Sequence, residues 1–324
     1  MTDCHPTAMA EYASTRRPKA VTLFSGMGSS SKALRDLGHN VIAHDFMPEA
    51  VQTLRAAGFL AYEADVREID YSRALYRDVK VLAGGPPCQP FSQSHDGDGR
   101  YDPRDMIPEF LRAVAEMLPE TFVMEEVQTL TWKRHADYLA MVEDHMRALG
   151  YRVEHRVLNA ADYGIPQARK RLFVVGIRED VAQGWERQGR EAVLWPDSAD
   201  YVSRTMADAL GWTVDTCEWR NHQVPDSRAH VDDMRSWWPL TRAATTVVGS
   251  YRPEVQAAPG YRRKGDPPRQ GTPGSVVTTR EERLILQDMP VDWPLQGNDA
   301  KRDLQVGNSV PCGLIRDLID LNLA

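Results

Sequence analysis

The chain has 324 residues, 42% of them hydrophobic, which is enough for one full α/β domain with a smaller second region beside it. A formal net charge of −7 excludes a generic polyanion binder, because nonspecific affinity for nucleic acid comes from cationic side chains that displace counterions. There is no run of about 18 apolar residues and no CxxC pair among Cys4, Cys88, Cys217 and Cys312, so no membrane span and no bound metal are expected, and the reducing cytoplasm is the expected compartment.

Arg16, Arg17 and Lys19 precede the first hydrophobic run without the apolar stretch of a signal peptide. From Lys19 to about Arg178, short β-branched runs alternate with segments of helical period, the pattern of a parallel sheet with crossover helices. Strands are expected at Ala20 to Phe24, Val41 to His44, near Ala61, at Val79 to Ala83, Thr121 to Met124, Val153 to Leu158 and Leu172 to Ile177. A helix from Ser29 to Leu37 opens on three serines able to cap it and stops at Gly38. The next, Pro48 to Ala57, has proline in its first turn and Gly58 after its last, and the longest, His135 to Leu149, is closed by Gly150. After about Glu179 tryptophan, proline, glycine and arginine become dense and periodicity fades. Between Tyr251 and Gln270 five basic residues (Arg252, Arg262, Arg263, Lys264, Arg269) outnumber two acidic ones, which allows a locally basic face. Order returns at Thr278 with a helix over Glu281 to Gln287, and a last helix is expected from Pro311 to Asn322.

Four constellations carry chemistry. In Leu23-Phe24-Ser25-Gly26-Met27-Gly28-Ser29-Ser30 a strand runs into a glycine turn, and Asp45 ends the next strand where it could hold ribose hydroxyls. Ser31 replaces the third glycine of the dinucleotide fingerprint, which favours a cofactor without a pyrophosphate. In Gly84-Gly85-Pro86-Pro87-Cys88-Gln89-Pro90-Phe91-Ser92 the prolines stiffen a loop around one cysteine at the sheet edge; that cysteine is either a usable thiolate or a packed small hydrophobe. Glu125 and Glu126 end an apolar strand, where adjacent side chains point to opposite faces, so at most one shares a site with Cys88. In Gln167-Ala168-Arg169-Lys170-Arg171, alternate arginines enter a strand in a way that suits phosphate or base contacts, and equally a surface strand edge.

In this order the motifs resemble the DNA cytosine-C5 methyltransferase family over nearly the whole chain. They match at Phe24 to Gly28, Gly85 to Ser92, Glu125 to Val127 and Gln167 to Arg171, then at Thr278 to Pro290 and Gly307 to Pro311. The resemblance implies an α/β, Rossmann-like class I methyltransferase domain with a mostly parallel seven-stranded sheet, plus a small irregular target-recognition domain. Residues 1–180 would form the first part of the catalytic and cofactor-binding domain, 181–272 the target-recognition domain and 273–324 a segment returning to the catalytic domain. S-Adenosyl-L-methionine would lie among Phe24, Gly26, Met27, Gly28, Asp45, Phe46, Asp65, Val66, Pro86, Asn308 and Val310, with Asp45 on the ribose, Phe46 against the adenine and Asp65 on its amino group. The implied chemistry adds the Cys88 thiolate to C6 of a flipped cytosine while Glu125 stabilises the ring at N3 and the methyl passes to C5. Arg171 would hold the flipped base near its O2 and Arg169 would hold the site together. Gln93 to Asp105 would form a lid, and Gln89, Ser92, Gln167, Arg252 and Arg262 would touch DNA. The expected partners are double-stranded DNA and a cognate restriction endonuclease, with the protein a monomer in a bacterial or phage-infected cytoplasm.

Three positions depart from the family pattern: Glu126 stands for its asparagine, Ser29 for a second glycine, and Cys312 for the second proline of the closing motif. The Glu126 departure leaves a relative transferring a modified group as an alternative. A tRNA cytosine methyltransferase, an inactive DNA-binding homologue and an enzyme acting on free dCMP are others, of which intact Cys88, Glu125, Arg169 and Arg171 argue against the inactive one.

Overall fold

The computed structural model of the protein describes residues 17–87, 91, 102–211, 243–248 and 278–323. Contacts divide the chain into one unit of residues 1–158, 170–196 and 315–324, and a second of residues 159–169 and 197–314.

The first unit is built on seven strands: β1 (Lys19–Leu23), β2 (Asn40–Asp45), β3 (Leu60–Glu63), β4 (Val79–Gly84), β5 (Thr121–Val127), β6 (Tyr151–Asn159) and β8 (Lys170–Arg178). Among the described residues they form one sheet in the order β3-β2-β1-β4-β5-β8-β6. Every expected strand is present, lengthened by one to three residues at its ends except that β1 stops at Leu23. The pairs β1/β2, β1/β4, β2/β3 and β4/β5 are parallel and β5/β8 is antiparallel, so the sheet is mostly parallel, as expected. Val21, Ile42, Leu82, Phe122 and Met124 are fully buried or nearly so, which is why these strands read as unbroken apolar runs: helices cover both faces.

Two topological facts position the site. The chain builds β1, β2 and β3 outward in one direction and then returns to place β4 on the other side of β1, making the β1/β4 junction the switch point where an open sheet offers a crevice. Because β8 runs against β5, its first residues meet the last of β5, with Val127 opposite Arg171.

The helix α1 (Ser29–Asp36) starts differently from the expectation. Its N-cap is Gly28 in the left-handed region (φ 96°) with no side-chain cap, while the Ser31 hydroxyl turns inward to within 2.8 Å of the buried Thr22 hydroxyl. The tight exit from β1 demands a positive φ, which glycine adopts without a Cβ penalty. The helix α2 (Pro48–Ala56) has its proline in the first turn, as expected. A helix not read from the sequence, α3 (Ile107–Met117), buries Ile107, Phe110, Leu111, Val114 and Met117 at helical spacing. It packs with α4 (Ala136–Ala148) on the face of the sheet that carries Phe122 and Met124. Phe122 is edge-on to both Phe110 and Tyr151, and each such buried ring contributes on the order of 1.5–3 kcal/mol. A further short helix, α5 (Glu179–Glu186), forms where the reading expected irregular chain.

The end of the chain is built into the same sheet. Thr121 Oγ1 donates to the Asn322 carbonyl (2.8 Å), and the Asn322 side chain exchanges hydrogen bonds with both backbone groups of Leu194. Asn322 follows helix α9 (Cys312–Leu321).

In the second unit β7 (Gln167–Ala168) pairs in parallel with β9 (Ala244–Thr245). Its helices are α6 (Met206–Leu210), α7 (Arg280–Leu286) and α8 (Asp299–Asn308). Thr279 and Glu282 form a capping box on α7, and Arg280 and Arg283 converge on the buried Asp303 at 2.9 and 2.5 Å. Among the described residues no helix is long and apolar enough to cross a membrane.

Candidate active site

The carboxyl ends of β1, β2 and β3 surround a cavity of about 280 Å³ lined by Phe24, Asp45, Phe46, Ala64, Asp65 and Val66, with Arg67, Pro87, Pro103, Arg104 and Met106 completing it. Phe24 adopts φ 53°, a left-handed conformation costly for an aromatic residue, and Gly26 follows at φ 53°. Asp45 holds this turn: its Oδ2 accepts the Gly26 N–H (2.7 Å) and its Oδ1 accepts that of Met47 (2.8 Å). Burial pushes the Asp45 carboxyl above its ordinary range, opposed by these backbone N–H groups. Phe46, next in the chain, is 71% exposed at the cavity, an apolar ring with no covering side chain to explain it. Asp65 caps a short 3-10 turn and binds Arg67 through both oxygens, and that hydrogen-bonded guanidinium holds its carboxyl below the usual range. An exposed ring, two carboxylates and a positive-φ turn within one cavity are the donor set a nucleoside needs: a stacking face, acceptors for ribose hydroxyls and an acceptor for an exocyclic amine. Met27 and Pro86 are buried beside it rather than lining it. A larger groove of about 670 Å³ between Arg147, Arg152, Glu186 and Arg190 contains none of the motif residues.

At the ends of β5 and β8 the structure joins two motifs that lie 46 residues apart. Arg171 Nε sits 2.9 Å from Glu125 Oε1, both side chains about one-sixth exposed, at an ion-pair distance without hydrogen-bond alignment. The other Glu125 oxygen lies over Gly85, where an added Cβ would come within 2.9 Å of it. The glycine of the Pro-Cys segment is therefore needed for close approach: any side chain there would displace the carboxylate.

The pattern of the family described as C-5 cytosine-specific DNA methylase matches residues 19–321. The chain belongs to that family.

The methylase is 31% identical over 305 residues to the Type II methyltransferase M.AplI of Arthrospira platensis, covering 89% of this chain and 81% of that protein. It is 27% identical over 317 residues to M1.HphI of Haemophilus parahaemolyticus, covering 90% and 82%. Its fold is that of the Entamoeba histolytica methyltransferase EhMeth (TM-score 0.65, 15% identity, 95% of this chain and 98% of the other) and of S. pombe Dnmt2 methyltransferase (0.60, 18%, 95% and 98%). It is a DNA (cytosine-5-)-methyltransferase.

In this methylase Glu126 faces away from Glu125. Alternation along β5 puts it on the side of Phe122 and Met124, 1% exposed, above the apolar cluster that includes Phe91, Leu130 and Tyr138. Its Oε2 accepts the Val127 N–H (2.9 Å), and its buried Oε1 has no hydrogen-bond partner among the described residues. Burial pushes its carboxyl well above the usual carboxylate range, reinforced by Glu125 and Asp105. Asp105, which accepts a hydrogen bond from Tyr138, is raised in the same way by burial. Phe91 is fully buried here, stacked on Tyr138 and edge-on to His135, and its carbonyl accepts from Thr129 Oγ1.

In the second unit Gln167 is fully buried: its Nε2 donates to Leu286 O and Gln287 Oε1, and its Oε1 accepts from Val247. Arg169 is also buried, donating to Val247 O (3.0 Å) and Gly307 O (3.2 Å), so it ties the 243–248 segment to the closing motif. Asn308 is exposed at the last residue of α8 and Val310 is buried. Cys88, Gln89, Ser92, Arg252 and Arg262 lie outside the described residues, as does most of the expected lid; its last residues, Asp102 to Asp105, are described, and Pro103 and Arg104 line the cavity at Phe46. The sequence reading missed Gly85 as a steric partner of Glu125 and Arg67 as the partner of Asp65. Only the second left a local signal, the Asp-x-Arg spacing of a capped turn.

Proposed function

We propose that the protein binds S-adenosyl-L-methionine in the Phe24, Asp45, Phe46 and Asp65 cavity and methylates C5 of a cytosine flipped out of double-stranded DNA, with Cys88 as nucleophile. When bound, that cofactor supplies a sulfonium methyl electrophile. The observation that carries the reading is Glu125, held between Arg171 and Gly85 at the carboxyl edge of the sheet, with one carboxylate oxygen against the start of the Pro-Cys segment. C5 of cytosine is a poor nucleophile, so the Cys88 thiolate first adds to C6 while Glu125 places a proton at N3 and Arg171 stays near O2. C5 then takes the methyl, the C5 proton passes to solvent water, and the Cys88 thiolate is eliminated as the N3 proton returns to Glu125, giving 5-methylcytosine.

Residues 181–272 act as the target-recognition region between catalytic segments 1–180 and 273–324. Arg252 and Arg262 within it, and Gln89, Ser92 and Gln167 in the first catalytic segment, are the candidate DNA contacts, with Gln167 acting from its buried position through the segment it supports. Asn308 and Val310 belong with the cofactor residues. Bacterial relatives named Type II methyltransferases support a cognate restriction endonuclease and a bacterial host, and a monomeric, cytoplasmic enzyme belongs to the same reading.

Bisulfite sequencing of DNA from cells expressing the protein, beside a Cys88→Ala control, tests this reading: methylation at a fixed site is expected with the native chain alone, and methylation that persists in the control sinks the mechanism. Glu126 faces the apolar side of β5, opposite to Glu125, so a plain methyl product is expected by mass spectrometry of the modified base.

A further inference from the structure

The turn that leaves β5 is an exposed cationic feature beside the Glu125 strand, and none of the motifs accounts for it. Two consecutive 3-10 turns, Gln128–Thr131 and Lys133–His135, follow Val127 directly. Between and on them Trp132, Lys133 and Arg134 are all exposed, Trp132 by 41%. The Arg134 guanidinium lies 5.4 Å from the centre of the Trp132 ring. Among the described residues neither Lys133 nor Arg134 forms an ion pair, whereas Arg67, Arg104, Arg112, Arg147, Arg152 and Arg178 each meet a carboxylate. Arg77, Arg156, Lys170, Arg187 and Arg204 are likewise without an ion pair among the described residues, but Lys133 and Arg134 are adjacent in sequence and stand beside an exposed aromatic ring.

This turn is also anchored. Trp132 N–H donates to Thr129 O and His135 N–H to Trp132 O, which fixes its backbone. From beneath, Thr129 Oγ1 donates to the Phe91 carbonyl and the His135 ring packs edge-on against Phe91 at 5.5 Å. Phe91 is three residues beyond Cys88 in sequence, so the cations are held on the exit of the nucleophile's segment.

We infer that Trp132, Lys133 and Arg134 form a phosphate clamp that grips the sugar-phosphate backbone of the strand carrying the target cytosine. The inference rests on DNA being the substrate. Lys133 and Arg134 supply the charge, and Trp132 orients the guanidinium while covering the sugar face. A clamp fixed to Phe91 would hold the backbone in register with Cys88 while the base leaves the stack. Contacts to phosphate carry no sequence information, so the clamp adds affinity and position without adding specificity.

The test is the salt dependence of duplex binding, measured for the full-length native protein and for Lys133→Gln/Arg134→Gln. Each lost phosphate contact removes roughly 0.9 from the slope of log K against log salt, so a decrease of about 2 is expected in the double variant, equal on cognate and non-cognate duplexes. Lys133→Arg should restore its share, and KM for DNA should rise with kcat nearly unchanged. Arg77→Ala, at the opposite edge of the sheet where Lys19 donates to the Arg77 carbonyl, should leave the slope as it is. A slope unchanged in the double variant, with native binding intact, overturns the clamp and leaves the methyltransferase reading standing. If the native protein itself fails to bind duplex DNA, both fall.

Discussion

Arg171 Nε stands 2.9 Å from Glu125 Oε1 although the two residues belong to different motifs, and the antiparallel pairing of β8 with β5 is what brings them together. A guanidinium at that distance positions the carboxyl and leaves its second oxygen over Gly85, which the proposed chemistry would use to place a proton at N3. Glu125→Gln removes the proton carrier and keeps the shape, so turnover should drop by about 10²–10⁴-fold with donor binding retained. Arg171→Ala should cost turnover as well, and the double variant should be little worse than Glu125→Gln alone, because the two act as one unit. Single-turnover rates on a hemimethylated or unmethylated duplex decide the matter, and additive losses would contradict the coupling.

Gly85→Ala tests the same geometry from the other side. The added methyl meets the end of the Glu125 side chain, which can swing away, so folding is expected to survive with Tm lowered by a few degrees at most. Turnover should fall at least tenfold because the displaced carboxylate no longer faces the reacting ring. Retention of full turnover would show that Glu125 acts from a different rotamer.

Two buried groups should shape the pH dependence of stability in opposite directions. Glu126 is raised by burial, so above its ordinary value of 4.5 the unfolded chain releases a proton that the native state keeps, and stability declines as pH rises toward the folded value. His44 is pushed down to about 4 by burial; below its ordinary value of 6.5 the unfolded chain gains a proton that the native state refuses, and stability is lost as pH falls from 6.5 toward 4. Glu126→Gln should therefore flatten the decline on the alkaline side by up to about 1.4 kcal/mol per pH unit, and His44→Gln should flatten the acid side. Chemical denaturation at a series of pH values reads both, and a Glu126→Gln profile parallel to the native one would refute the buried neutral acid.

Asp303 anchors the second unit by holding the buried Arg283 and the partly exposed Arg280 together. Asp303→Leu leaves the Arg283 charge buried without its counter-ion, and a loss of about 3–5 kcal/mol in denaturant stability is expected. Arg283→Met in the same background should recover part of it, since an apolar pair of similar volume avoids the uncompensated charge.

The central strands were legible because burial on both faces fills them largely with apolar, often β-branched residues, and Asp45 could be placed at a strand end on that basis, whereas Phe46 and Asp65 came from the family resemblance. The meeting of Glu125 with Arg171 was not legible, since only the direction of β8 decides whether the first or last residues of that strand reach the carboxyl edge. The three serines suggested a capped helix, yet the turn geometry selected Gly28 and drew Ser31 inward to Thr22. Helix α3 carried a clear apolar stripe, but it follows a Gly- and Asp-rich stretch that reads as loop, and Pro108 in its first turn looks like a breaker until it is placed at the N-terminus. Glu126 was visible as an unusual residue; which face it serves depended on register alone.

The hydrogen bond from Thr121 to the carbonyl of Asn322 spans 201 residues of sequence. A ribosome delivers β5 long before it delivers that carbonyl, and Leu194 waits for the same side chain. The base of the central sheet thus stays open until a residue 201 positions further along the chain has been made, and β5 must wait for it with Leu194 already in place.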